Sequence, residues 1–302
     1  MPYHHGNTSR RALALALAAT GCCAALAGCA TSRASAPPDG KSETSLQSSG
    51  ADPAPRTESG TQSRPPLPAG ATTDTPSSRP LAGRTVVIDP GHNSGNFQHT
   101  KEINQKVDIG TNRKECDTTG TSTGTGYTEA SFTLDVSHRL RDLLAARGAE
   151  VVLTHDGDRP WGPCIDERAR IGNAARADAV VSVHADGSAV GNRGFHVILP
   201  ARVRGGSADT EEIVAPSRAL GEQIVSRFAL ATDTSPANYI GSGTGLDVRD
   251  DLGGLNLSTV PKVFLECGNM RDPKDAQLLS SPTWRQKAAQ GLADGIAAYL
   301  KG

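Results

Sequence analysis

From Arg84 onward the chain alternates short runs of β-branched residues with longer amphipathic stretches, and that alternation leaves few ways to fold. The runs are Thr85-Val86-Val87-Ile88, Val151-Val152-Leu153, Val180-Val181-Ser182-Val183, Phe195-His196-Val197-Ile198-Leu199 and Lys262-Val263-Phe264-Leu265. Several are apolar at successive positions, as strands covered by helices on both faces must be. Between the runs, apolar residues recur at helical spacing. Phe132, Val136, Leu140, Leu143 and Leu144 form one stripe of a helix expected from Thr128 or Glu129 to Arg147, with Gly148 as its stop. Further helices are expected from about Glu167 to Arg176, from near Pro216 through Leu220, Ile224 and Phe228, and from Pro282 to Leu300 behind a Ser281 cap. The pattern predicts an α/β fold: a single domain over 81–302 with a mostly parallel mixed sheet flanked by helices. Residues 93–127 and 232–258 have no clear period and read as loops, the first with room for a short hairpin.

The first 80 residues do not share this pattern. Residues 1–29 run from Arg10-Arg11 through an Ala/Leu stretch to Leu26-Ala27-Gly28-Cys29, the order of an export signal. Leu26 to Cys29 also resembles the bacterial lipobox, which makes Cys29 a candidate for lipidation; an ordinary cleavage site among small residues is the alternative. Residues 30–80 are mostly Ser, Thr, Pro, Ala and Gly with scattered charge. So few apolar side chains cannot offset the entropy of folding, and the segment reads as a disordered linker. Membrane contact is expected only through a lipid at Cys29. The chain has 31 Lys and Arg against 32 Asp and Glu, and loss of Arg10 and Arg11 with the signal leaves a net charge of about −3. That balance argues against a nucleic-acid partner.

Polar residues stand where the runs end. Asp89-Pro90-Gly91-His92 follows the first run, His184 closes the third and Glu266 closes the last. In an open α/β sheet the carboxyl ends of parallel strands line the crevice where ligands bind. Glu129 lies on the same helical face as Phe132, Val136 and Leu140, so a carboxylate points toward the core. A buried charge needs a counter-ion or a metal. Two imidazoles and one carboxylate with an open fourth position form a catalytic zinc set, so His92, Glu129 and His184 are the expected ligands of one Zn2+ per chain. Glu266 is placed to move protons as the catalytic carboxylate, and Asp89 to orient a ligand histidine through its second nitrogen. The duller alternatives are a turn cap for Asp89, an exposed first-turn Glu129, and a Glu266 paired with Arg249 or Lys262. His99, His138, His155 and His196 are rival ligands, His155 the strongest. Cysteines 116, 164 and 267 remain in the body of the chain, and three pairings are open. Cys267 follows an apolar run and is expected to be buried, which favours Cys116 with Cys164.

At these residues the sequence resembles the zinc-dependent N-acetylmuramoyl-L-alanine amidases often called amidase type 3. The likeness spans Arg84 to Leu300 and is carried by Val86 to His92, Glu129, Arg168 to Asp186 and Pro261 to Asn269. It implies cleavage of the amide between the lactyl group of N-acetylmuramic acid and L-alanine of the stem peptide by zinc-activated water. It also implies that zinc is held by His92, Glu129 and His184, with Glu266 as the catalytic residue. This chain has Asp186 where the family often has Asn, His155 where it has Arg, and Cys267-Gly268-Asn269 where it has Thr-Gly-Phe. The chain is similar to compact actinobacterial amidases without wall-binding repeats. The expectation is therefore an exported monomer of the periplasm or cell envelope, acting on peptidoglycan and preferring soluble muropeptides. A zinc peptidase of the stem peptide and a noncatalytic wall-binding lipoprotein are the competing readings.

Overall fold

The computed structural model describes residues 79–302. The expected signal, the Cys29 lipidation site and nearly all of the expected linker lie outside the described residues. Six strands form the main sheet: β1 (Thr85–Pro90), β2 (Glu150–Leu153), β3 (Ala179–Asp186), β4 (His196–Pro200), β5 (Leu246–Arg249) and β6 (Lys262–Asn269). Their spatial order is β2-β1-β3-β6-β4-β5. The first four in that order run parallel, β4 pairs antiparallel with β6, and β5 runs parallel to β4. The expected mixed, mostly parallel α/β sheet is the one observed.

Five helices flank the sheet: α1 (Glu129–Ala146), α2 (Ile165–Ala174), α3 (Glu211–Thr232), α4 (Pro273–Ser280) and α5 (Pro282–Leu300). The main core joins β1, β3, β4 and β6 to α1, α3 and α5 through Ile88, Val136, Val183, Phe228, Leu265 and Leu292, all fully shielded. The opposite face carries a small cluster of Val87, Ala177 and Val180, beneath α2 and a single turn at Gly253–Asn256. No helix among the described residues is long and apolar enough to cross a membrane.

Local signals account for most of the boundaries. Thr128 caps α1 by accepting from Ser131 N, and Ser281 caps α5 by accepting from Trp284 N, with Pro282 at the first helical position. α3 begins at Glu211, earlier than expected, and Pro216 falls inside it. Glu211 and Glu212 favour that start, because anions stabilise the positive end of a helix. α2 begins at Ile165 rather than Glu167. The Asn/Gly/Thr-rich stretch after β1 holds a hairpin of Lys106–Asp108 with Arg113–Glu115. Cys116 and Cys164 form a disulfide that ties the end of this hairpin to the start of α2, and Cys267 is buried and free.

Candidate metal centre

Strand alternation decides which side chains meet. On β3, Val181, Val183 and Ala185 enter the main core, so Ser182 and His184 point to the other face. On β6, Val263, Leu265 and Cys267 do the same, and Lys262, Phe264 and Glu266 emerge beside Ser182 and His184. Glu266 and His184 are register partners across the parallel β3–β6 pair. The neighbouring β1 ends at Pro90 and delivers His92 with φ 61, a left-handed backbone that non-glycine residues rarely adopt. Gly91 is required by contact: a Cβ there would lie 2.2 Å from His184 Cε1. α1 starts at the same edge of the sheet and brings Glu129 into the gap.

The result is a tight triangle. Glu129 Oε1 lies 3.1 Å from His92 Nε2 and 2.9 Å from His184 Nδ1, and one ligand atom from each residue falls within 4.8 Å of the others. The second carboxylate oxygen accepts from Thr121 N at 2.9 Å. His92 Nδ1 is 3.0 Å from the Thr118 carbonyl, which can only accept, so Nδ1 keeps its proton and Nε2 is the nitrogen whose lone pair is exposed when the imidazole is neutral. The His184 ring is stacked on Phe264 with centroids 3.8 Å apart, fixing its plane. Burial opposes the charged form of His92, but Glu129 and Asp117 outweigh it and push its pKa up to about 10. Burial also disfavours ionised Glu129, yet His92 and His184 hold its carboxyl well below the usual range. A dication that displaces the His92 Nε2 proton meets two imidazole lone pairs and a desolvated carboxylate aimed at one point, the donor set of zinc, so the residues present fit it.

Glu266 completes the wall of the same cavity, which has a volume of about 290 Å³. Its Oε2 is sealed from solvent and has no hydrogen-bond partner among the described residues. Burial, then Glu129 and Asp186, push its pKa well above the ordinary carboxylate value. The rival ion pairs do not form: Lys262 Nζ bonds to Asp89 at 3.2 Å and Arg249 to Asp251 at 2.8 Å. Asp186 is engaged by the hydroxyl of Tyr239 at 2.6 Å.

Asp89 requires a correction. It touches no ligand histidine. Its oxygens accept from Thr154 at 2.7 Å, Ser182 at 2.6 Å, Arg168 at 2.8 Å and Lys262 at 3.2 Å. Pointing inward beneath the strand ends, it neutralises two buried cations and anchors the sheet under the site. The residues behind His92 are instead Thr118 and Asp117, the latter 3.6 Å from Nδ1. Arg168 joins the two groups, donating to Asp89, Asp117 and the carbonyls of Pro90 and His92. The rival histidines stay outside. His155 Nε2 donates to the Pro90 carbonyl at 3.0 Å, His138 pairs with Asp156, His99 lies against Trp161, and His196 packs edge-on to Tyr239.

The family model described as N-acetylmuramoyl-L-alanine amidase, type 3, matches residues 86–298. The chain belongs to this family. The N-acetylmuramoyl-L-alanine amidase Rv3717 of Mycobacterium tuberculosis is 41% identical over 221 residues, covering 73% of this chain and 88% of the relative. The solved amidase Ami1 of Mycobacterium smegmatis is 40% identical with a TM-score of 0.66, covering 73% of this chain and 98% of that one. Ami1 of Mycobacterium abscessus matches with 41% identity, the same TM-score of 0.66, and 73% and 100% coverage. Membership places the chain among the N-acetylmuramoyl-L-alanine amidases, hydrolases of peptidoglycan. Sequence reasoning about this amidase missed Asp117, Thr118 and Thr121, which hold the triangle from a loop with no period. Its one usable signal was position: Asp117 and Thr118 directly follow Cys116, a cysteine already expected to be tied down.

Proposed function

We propose that this amidase hydrolyses the bond between the lactyl group of N-acetylmuramic acid and L-alanine of the stem peptide, with one zinc ion held by His92, Glu129 and His184. Zinc in such a site polarises a carbonyl and lowers the pKa of a nearby water toward 7. Glu266 takes the proton of the attacking water on its carboxylate and returns it to the departing nitrogen, so the amine leaves neutral. Thr118 holds His92 in the tautomer that exposes Nε2, and Thr121 N–H keeps Glu129 from turning away. The observation that carries the proposal is the His92–Glu129–His184 triangle beside a buried Glu266 oxygen that no group among the described residues satisfies.

The proposal extends to the segments outside the described residues: export through 1–29, lipidation at Cys29, and monomeric action in the cell envelope. The mass of the mature N-terminus, with or without a diacylglycerol increment, tests the anchor. Mass spectrometry of the products from one purified muropeptide, alongside metal analysis, tests the reaction. Free sugar plus an intact stem peptide and one zinc per chain are expected. A shortened stem, or full turnover by protein stripped of zinc, refutes it.

A further inference from the structure

A second concavity of about 500 Å³ shares a wall segment with the catalytic cavity: Thr121 lines the catalytic cavity, and Thr123, Gly124 and Thr125 line the second. Its lining includes Thr123, Thr125, Met270, Arg271 and Gln277. Arg271 stands at the partition between the two. Its Nε donates to Thr121 Oγ1 at 3.0 Å, and the backbone N–H of that same Thr121 holds Glu129. The main chain beside it is pinned: Met270 N donates to the Asp186 carbonyl at 2.8 Å and Arg271 N to Asn269 Oδ1 at 2.9 Å.

The other cations around the site are spoken for. Arg168 bonds to Asp89 and Asp117, Lys262 to Asp89, Lys114 and Arg249 to Asp251, and Arg193 to Asp272 and Asp275. Arg271 is exposed, and among the described residues it forms no ion pair and its Nη groups meet no protein acceptor. A guanidinium fixed through Nε presents its two Nη groups as a fork, the geometry that binds a carboxylate with two parallel hydrogen bonds. The catalytic cavity itself is lined by Glu129, Asp186 and Glu266, which repel an anion. A stem peptide carries carboxylates on the alanine side of the scissile amide, and they need a cation away from that acidic wall.

We propose that Arg271, with the concavity it lines, is the subsite that binds a carboxylate of the stem peptide and so sets which end of the substrate lies on the Thr121 side of the zinc. This rests on the amidase reading above. The subsite makes Arg271 a specificity-determining residue and directs the peptide toward Thr123, Thr125 and Gln277, with the sugar on the other side of the metal.

The test compares N-acetylmuramoyl-L-alanyl-D-glutamate with its diamide, in which both carboxyls are carboxamides, as substrates of the zinc-loaded protein. Wild type is expected to favour the diacid about tenfold in kcat/KM, mainly through KM. Arg271→Gln is expected to erase that preference and Arg271→Lys to retain most of it. Equal cleavage of both compounds by wild type overturns the subsite, as does an Arg271→Gln variant that loses kcat on both and keeps the preference, since that marks a purely structural support of Thr121. If wild type releases no peptide from either compound, the amidase reading is what fails. Binding of the two compounds to wild type and Arg271→Gln then decides the subsite: equal affinities overturn it, and a diacid preference that needs Arg271 upholds it.

Discussion

Glu266 has the most unfavourable surroundings for a charge in the cleft: one oxygen without a partner, and two further carboxylates nearby. These raise its proton affinity, which suits a group that must take a proton and then release it. As the base it must start deprotonated. Activity should therefore fall as the pH drops through its raised pKa, with the acid limb of kcat/KM above the ordinary carboxylate value of about 4.3. Glu266→Gln should lose about 10²–10⁴ in kcat while binding zinc as wild type does, checked by turnover and metal analysis on the same sample. Asp89 has the opposite environment. Burial opposes its ionisation, but Lys262 and Arg168, with Ser182 and Thr154, hold its carboxyl far below the usual range. A depressed folded pKa contributes stability that is full above the unfolded value, near 3.8, and declines as the pH falls below it. Asp89→Asn should cost about 3–5 kcal/mol at neutral pH by leaving two buried cations short of a partner. The gap to wild type should narrow below about pH 4, as urea unfolding across pH 2–6 would read.

At the scale of elements, the site was legible wherever period and strand ends specify it. The strand runs place His184 and Glu266 at carboxyl edges, and the helical stripe turns Glu129 inward, because side-chain direction follows from backbone geometry alone. The hydrogen bonds of Asp89 could not be read that way: Thr154, Ser182, Arg168 and Lys262 reach it from separate elements brought together only by the finished sheet. α4 carries a legible signal of its own, since Asp272 followed by Pro273 is the same cap-and-proline pair that marks α5. β5 was not, because Leu246-Asp247-Val248-Arg249 is a short edge strand defined by its pairing with β4. The loop carrying Asp117 and Thr118 depends on the disulfide, which spans a sequence separation of 48. Replacing Cys116 and Cys164 together by Ser should lower stability by roughly 2–4 kcal/mol in denaturant melts, since a closed loop of this size restricts the unfolded chain. A free-thiol count of one buried cysteine in unreduced mature protein, after any lipidation of Cys29, checks that the bond is present.

For the molecule as a whole, the acidic pocket makes metal binding and folding one problem. Glu129 and Glu266 lie beneath a shared cavity, and His92 is drawn toward its charged form by Glu129 and Asp117, so a cation resolves a repulsion built into the fold. A ligand that binds only the folded state stabilises it by about 2.7 kcal/mol when present at a hundred times its Kd. For a domain of this size that corresponds to a rise in Tm of roughly 5–10 °C. Dialysis against a chelator should remove both this increment and the activity, and added zinc should restore both. Competition with protons gives the pH sign: binding requires neutral His92, so zinc affinity should weaken as the pH falls. His184→Ala should abolish the zinc-dependent rise in Tm whatever it does to the baseline, because the triangle then lacks one corner. An undiminished rise in that variant would mean that zinc stabilises the protein from another place, and the assignment of the triangle would fall with it.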